Sequence, residues 1–148
     1  MISIQHPYPD GEGERYISHQ KAENEKGKAV TFVLELKIEQ NFCGLIEIRE
    51  IDREHSQAEL SFWLTTSRWG LGYMSEGIQA ALQYGFEILK INRFYAYHML
   101  RNPASGRVLE KNGFRQEGIL RQRVIKWGKY EDVAIWAILR QDWDENSA

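Results

Sequence analysis

Gly70 and Gly72 stand one residue apart in "WGLGYMSE", just before a stretch whose apolar residues recur at helical spacing. A Gly-x-Gly turn at the amino end of a helix lets the backbone come close to a ligand, while the first N–H groups and the helix dipole attract an anion. Such a turn binds phosphate without a basic side chain. It is equally a common way to start a helix, and on this stretch alone both readings stand. A Rossmann dinucleotide site fits badly, because the third glycine of that fingerprint is missing. A second group follows in "NPASGRVLEKNGF", where Asn102 and Ser105 lie at a strand-to-helix junction. Each is a residue type that caps a helix, and each can also contact a ligand lying beside the junction.

The elements that hold these residues follow from the periodicity. Residues 1–27 read as a loop around Pro7 and Pro9 and then a short exposed helix in "GERYISHQKAENEKGK", ended by Gly27. Residues 28–66 read as three strands joined by short polar links, an antiparallel meander. Its first strand places Val30, Phe32, Leu34, Leu36 and Ile38 on one face. From Tyr73 the period changes, and Met74, Ile78, Leu82, Gly85, Phe86 and Leu89 form one helical stripe. "RFYAYHML" reads as a strand, and Pro103 and Gly113 bound a short helix that completes residues 67–113. Residues 114–148 read as a final hairpin turning at Trp127-Gly128-Lys129. The order predicts one α+β domain over 1–148, without repeats or linkers.

Composition narrows the partners. Nineteen basic and 21 acidic residues give a formal net charge of -2, and no basic stripe marks a nucleic-acid or anionic-membrane surface. The single cysteine, Cys43, cannot form an internal disulfide, and neither a leader nor a membrane-length apolar run is visible. A soluble, cytoplasmic protein is expected. The four histidines are scattered, so no metal site is expected, and His98 reads as a satisfied core or cleft residue on its strand. Arg121, Arg123 and Lys126 on the last hairpin read as a solvated face that can also steer an acidic partner or support a dimer.

The glycine turn, then "INRFYAYHMLRNPASGRVLEKNGFRQEGILRQ", then "GKYEDVAIWAIL", together resemble the GCN5-related N-acetyltransferases (GNAT). The likeness runs from about residue 30 to 143 and is strongest to the branch acting on ribosomal-protein N-termini, with relatives acting on polyamines and antibiotics. It implies the GNAT fold: a mixed, largely antiparallel, twisted sheet with helices on both faces. The usual first strand and first helix of that fold are expected to be lacking here. It also implies acetyl coenzyme A as co-substrate, with no metal. Trp69, Gly70, Leu71, Gly72, Tyr73, Met74 and Ser75 then form the loop and first turn that hold its pyrophosphate through backbone N–H groups. Met74 stands where the family carries a small residue. Trp63, Leu64 and Thr65 pair with the pantetheine arm, and Asn102 and Ser105 match the family's Asn-x-x-Ser.

The reaction implied is direct attack of an amine on the thioester, which needs a base, a polarised carbonyl and a proton for the leaving sulfur. A backbone N–H near Leu64 is placed to polarise the carbonyl, Asn102 contacts the co-substrate, and Ser105 is the candidate acid. Glu59 is the candidate base, directly or through water; its bland reading is a solvated strand carboxylate. The acidic residue that some members carry on the sixth strand is Val124 here. The acceptor is a protein N-terminal α-amine, a polyamine or another small amine. A short amino-terminal region favours a homodimer that completes the amine pocket. The competing reading is a non-catalytic acyl-CoA-binding module that has lost this pocket.

Overall fold

A computed structural model describes residues 2–6, 15–20, 29–36, 41–64 and 73–147. The elements are β1 (Ile2–His6), β2 (Arg15–Gln20), β3 (Val30–Leu36), β4 (Asn41–Asp52), β5 (Gln57–Leu64), α1 (Tyr73–Glu87), β6 (Arg93–Met99), α2 (Pro103–Lys111), β7 (Arg115–Lys126), β8 (Lys129–Leu139) and α3 (Arg140–Ser147). All described strands share one open sheet in the order β1-β2-β3-β4-β5-β6-β8-β7. β1 to β5 are antiparallel neighbours, β5 and β6 run parallel, and β8 lies antiparallel between β6 and β7. The meander, the long helix, the next strand, the short helix and the hairpin are thus all where the sequence places them. No described helix is long and apolar enough to cross a membrane.

Three segments differ from expectation. Ile2–His6, read as part of a loop, is β1, whose backbone is satisfied by antiparallel pairing with β2. Arg15–Gln20, read as part of a short helix, is β2, paired with β1 on one edge and β3 on the other. Its helix-tolerant composition lacks an apolar stripe, and so short a segment is marginal as a helix, whereas two flanking strands satisfy its backbone on both sides. The loop around Pro7 and Pro9 and the stop at Gly27 lie outside the described residues. The hairpin also does not run to the end of the chain. Asp142 Oδ2 accepts from Leu139 N at 3.0 Å, Arg140 Nη1 donates to the Phe86 carbonyl at 2.7 Å, and Trp143 packs on Phe86 with ring centroids 5.7 Å apart. These contacts turn the chain into α3.

The core lies on one face of the sheet. Cross-strand partners Phe32 and Ile46, Ile48 and Leu60, Ala58 and Phe94, and Phe94 and Ile138 are all buried there. α1 covers them with Met74, Ile78, Ala81, Leu82 and Phe86, the stripe legible in the sequence. Phe86 meets Phe94 edge-on at 5.2 Å. α2 and α3 pack on this same face, against His98 and Trp136 and against Phe86 respectively. The family resemblance implies helices on both faces; the three described helices share one. The opposite face carries Glu47, Arg49, Glu59, Tyr95 and Tyr97 from β4, β5 and β6, residues that tolerate water.

Gly85 fixes how closely α1 sits on β6. A Cβ at this position would run into the ring of Phe94, which is fully buried and wedged against Phe86. In an open helix, glycine to alanine gains up to about 1 kcal/mol. Overpacking a filled core costs about 1–3 kcal/mol. Gly85→Ala is therefore expected to lower stability despite the better helix former, read as a lower urea midpoint. A stabilised variant would refute the close seat of α1 on Phe94.

Candidate active site

The parallel pairing between β5 and β6 covers only Gln57 with Arg93, Ala58 with Phe94 and Glu59 with Tyr95. Beyond it β5 stays bound to β4 as far as Leu64, while β6 stays bound to β8 as far as Met99. The two strands therefore part after Glu59, and each turns one row of backbone N–H and C=O groups toward the gap between them. Groups of that kind need partners. A ligand arm carrying amides fits such a gap as a strand would. α1 begins at Tyr73, past the carboxyl end of β5, and α2 begins at Pro103, past the carboxyl end of β6. Both helix amino ends, with their positive dipoles, thus follow the strands that part.

Glu59 stands at the fork on the open face. Its side chain is 21% exposed, with Arg49 Nε 3.8 Å from Oε1. Burial pushes its carboxyl above the ordinary glutamate value; Arg49 opposes this, and Glu50 and Glu47 add to it. Tyr95, directly across the parallel pair, is raised by its own burial and then by the Glu59 charge. Tyr95 meets Tyr97 edge-on at 5.8 Å, and the Arg123 guanidinium lies over Tyr97 at 5.8 Å. Trp63, two alternations further along β5, is 53% exposed. The setting is half-buried, aromatic and charged, not that of a solvated strand carboxylate.

Asn102 and Ser105 are brought together at the start of α2. Ser105 N donates to the Asn102 carbonyl at 3.3 Å. Asn102 is exposed and its side chain makes no capping hydrogen bond, so the helix start does not consume it. Ser105 is buried at 8% exposure. Glu59 and Ser105 are not in contact. They lie on opposite faces, on either side of the gap.

Thr65, Trp69, Gly70, Leu71 and Gly72 lie outside the described residues. Leu64, whose backbone pairs with Gly44, and Tyr73, the first residue of α1, bracket them. Met74 is buried at 2% exposure in the core, so its bulk is absorbed by the stripe of α1. Ser75 Oγ accepts from Asn112 Nδ2 at 3.1 Å, while Asn112 Oδ1 accepts from Gln79 Nε2 at 2.9 Å. The Ser75 hydroxyl, acting as an acceptor, thus anchors α1 to the end of α2.

His98 is engaged as expected of a cleft histidine. Its Nε2 accepts from Trp136 Nε1 at 3.0 Å, and its Nδ1 lies 2.9 Å from the Met99 carbonyl. Among the described residues no group of three or more metal-ligating side chains comes together. Sequence reading missed the neighbours of Glu59. Strand alternation places Arg49, Tyr95 and Tyr97 on its face, but only the β5–β6 pairing brings them beside it.

Burial of Glu59 has a consequence for stability. Its raised pKa means that the folded state holds the proton more tightly than the unfolded chain. The resulting stabilisation is present at low pH and lost as pH rises through the raised value. Glu59→Gln remains neutral and is expected to gain stability relative to the parent as pH rises, measured by urea unfolding below and above the ordinary glutamate range. A change in the opposite direction would show that the Arg49 pair outweighs burial.

The family model described as an acetyltransferase (GNAT) domain matches residues 1–115. The probable N-acetyltransferase YjcK of Bacillus subtilis is 34% identical over 134 residues, which is 90% of this chain and 74% of that protein. The ribosomal-protein-serine acetyltransferase of Escherichia coli is 31% identical, over 67% of this chain and 55% of its own length. The dodecameric structure of spermidine N-acetyltransferase from Vibrio cholerae superposes with a TM-score of 0.76 at 30% identity, covering 84% of this chain and 72% of that one. The chain spans about two thirds of the length of the first curated relatives it matches, 66% and 64%.

Proposed function

The chain belongs to the GNAT acetyltransferase family, and from that premise we propose that it transfers an acetyl group from acetyl-CoA to an amine by direct attack. The observation that carries this reading is the parting of β5 and β6 after Glu59, with the first turn of α2 at the far end of the gap. Relatives named for spermidine and for a ribosomal protein support an amine acceptor, either a polyamine or a protein amino terminus. The dodecameric relative supports a subunit that works within an oligomer, a homodimer being the simplest form.

When bound, acetyl-CoA supplies a thioester whose carbonyl carbon is open to attack. The edge of β5 that faces the gap beyond Glu59 holds the pantetheine arm, and an N–H near Leu64 polarises the carbonyl. Trp63 and Thr65 flank that contact. Trp69 to Gly72 and the first turn of α1 hold the pyrophosphate. Glu59 takes the proton from the incoming ammonium, directly or through one water; a carboxylate raised by burial is a better base for this than an exposed one. Asn102 offers its uncommitted amide to the co-substrate, and Ser105 Oγ returns a proton to the departing sulfur.

Purified protein given acetyl-CoA and a panel of peptides, polyamines and aminoglycosides is expected to release free thiol with one amine class. Tight coenzyme A binding with no transfer to any amine would instead favour an acyl-CoA-binding module. Ser105→Ala should lower kcat by about a hundredfold, the low end for a general acid, at unchanged coenzyme A affinity. Glu59→Gln should likewise lower rate and spare that affinity. Gly72→Val should abolish coenzyme A binding in a folded protein; unaltered affinity would sink the pyrophosphate cradle.

A further inference from the structure

The turn that presents Asn102 and Ser105 is tied to β8 by an unbroken hydrogen-bond path. Trp136 Nε1–H donates to His98 Nε2 at 3.0 Å. An indole nitrogen is a donor only, so Nε2 must be the lone-pair nitrogen, and the proton of the neutral imidazole sits on Nδ1. Nδ1–H then donates to the Met99 carbonyl at 2.9 Å. That same carbonyl accepts from Asn102 N at 2.9 Å, and the Asn102 carbonyl accepts from Ser105 N at 3.3 Å. On the other side of the turn, Leu100 N donates to Asp132 O at 3.1 Å, again on β8.

Packing reinforces the path. A Cβ on Gly106 would lie 2.7 Å from His98 Nε2, 3.1 Å from His98 Cε1 and 3.3 Å from Trp136 Cζ2. The first turn of α2 therefore rests directly on the His98–Trp136 pair, and glycine beside Ser105 is what permits it. The rings of His98 and Trp136 lie 6.1 Å apart with planes tilted by 36°, so the pair is a shaped support as well as a hydrogen bond.

We propose that His98, held as its Nδ1–H tautomer by Trp136, is the positioning residue that sets the β6–α2 turn and so aims Asn102 and Ser105 into the gap between β5 and β6. It acts through the Met99 carbonyl and through Gly106, not by touching substrate. The inference rests on the acid role proposed for Ser105. With the path intact, the turn is fixed by β8 and the Asn102 side chain is left free of capping duty. Without it, the Met99 carbonyl loses one of its two donors, and the turn is held to β8 only by the Leu100–Asp132 bond and the end of the β6–β8 ladder.

In the ligand-free protein, a long-range ¹H–¹⁵N histidine spectrum should show His98 protonated on Nδ1 and unprotonated on Nε2; the reverse tautomer would overturn the proposal without recourse to any variant. Trp136→Phe and His98→Phe should each lower kcat roughly ten- to a hundredfold, as a displaced catalytic group does, with coenzyme A affinity little changed. In a Ser105→Ala background the same substitutions should add little further loss of kcat. An equal loss in both backgrounds would show that the pair does not act through Ser105. Wild-type kcat in Trp136→Phe beside an impaired Ser105→Ala would remove the positioning role and leave Ser105 as the acid. An unimpaired Ser105→Ala would remove both.

Discussion

β5 is bound to β4 through Leu64 and β6 to β8 through Met99, yet the two bind each other over only three residue pairs. That mismatch is the constraint on which the site depends. Each strand is fixed by its outer neighbour, so their separation is built into the registers of two antiparallel ladders and does not require a ligand to force them apart. The backbone groups facing the gap are held in line by those ladders. A site built on strands fixed in this way loses little entropy when an arm enters it. Position along the gap is likewise set by register, which is why Glu59 falls at the fork itself.

The two faces of the sheet divide the work. The buried face holds α1, α2 and α3 through Phe32, Ile46, Leu60, Phe94 and Ile138. The opposite face gathers Arg49, Glu59, Tyr95 and Tyr97. Both sets come from one alternation of side chains, so a one-residue slip of β5 would bring Glu59 into the core and Leu60 into the site. The hydrophobic core thus holds the polar face in register as well as stabilising the fold. The raised proton affinity of Glu59 follows from the same arrangement, since aromatic neighbours on β6 remove water from a carboxylate that Arg49 only partly compensates.

What the sequence reveals depends on how local the cause is. The stripe of Met74, Ile78, Leu82 and Phe86 is a local period, and α1 is where it predicts. The strands of the meander and the junction at Asn102 are local in the same sense. β2 is not, because its strand form comes from β1 and β3 on either side. Neither is α3, which depends on Phe86, 54 residues before Arg140. In the site, Ser105 is recognisable by type and position. The reason for Gly106 beside it is not, because that reason is a histidine and a tryptophan 38 residues apart in sequence.

The link between the two helices also sets a length scale for the ligand. Asn112, just past the carboxyl end of α2, bonds Ser75 and Gln79 near the amino end of α1, so the start of α1 lies beside the end of α2. Ser105 sits seven residues earlier along the same helix, and at 1.5 Å per residue that is roughly 10 Å away. An anion held by the amino end of α1 is therefore separated from the Ser105 hydroxyl by about that distance. A compact acyl donor such as an acyl phosphate, with anion and acyl group adjacent, cannot reach both points at once. A donor with its pyrophosphate and its thioester at opposite ends of an extended amide-bearing arm can, and the stretch over which β5 and β6 no longer pair with each other lies between them. The helix link and the strand fork, two independent features of the fold, thus favour the same shape of co-substrate.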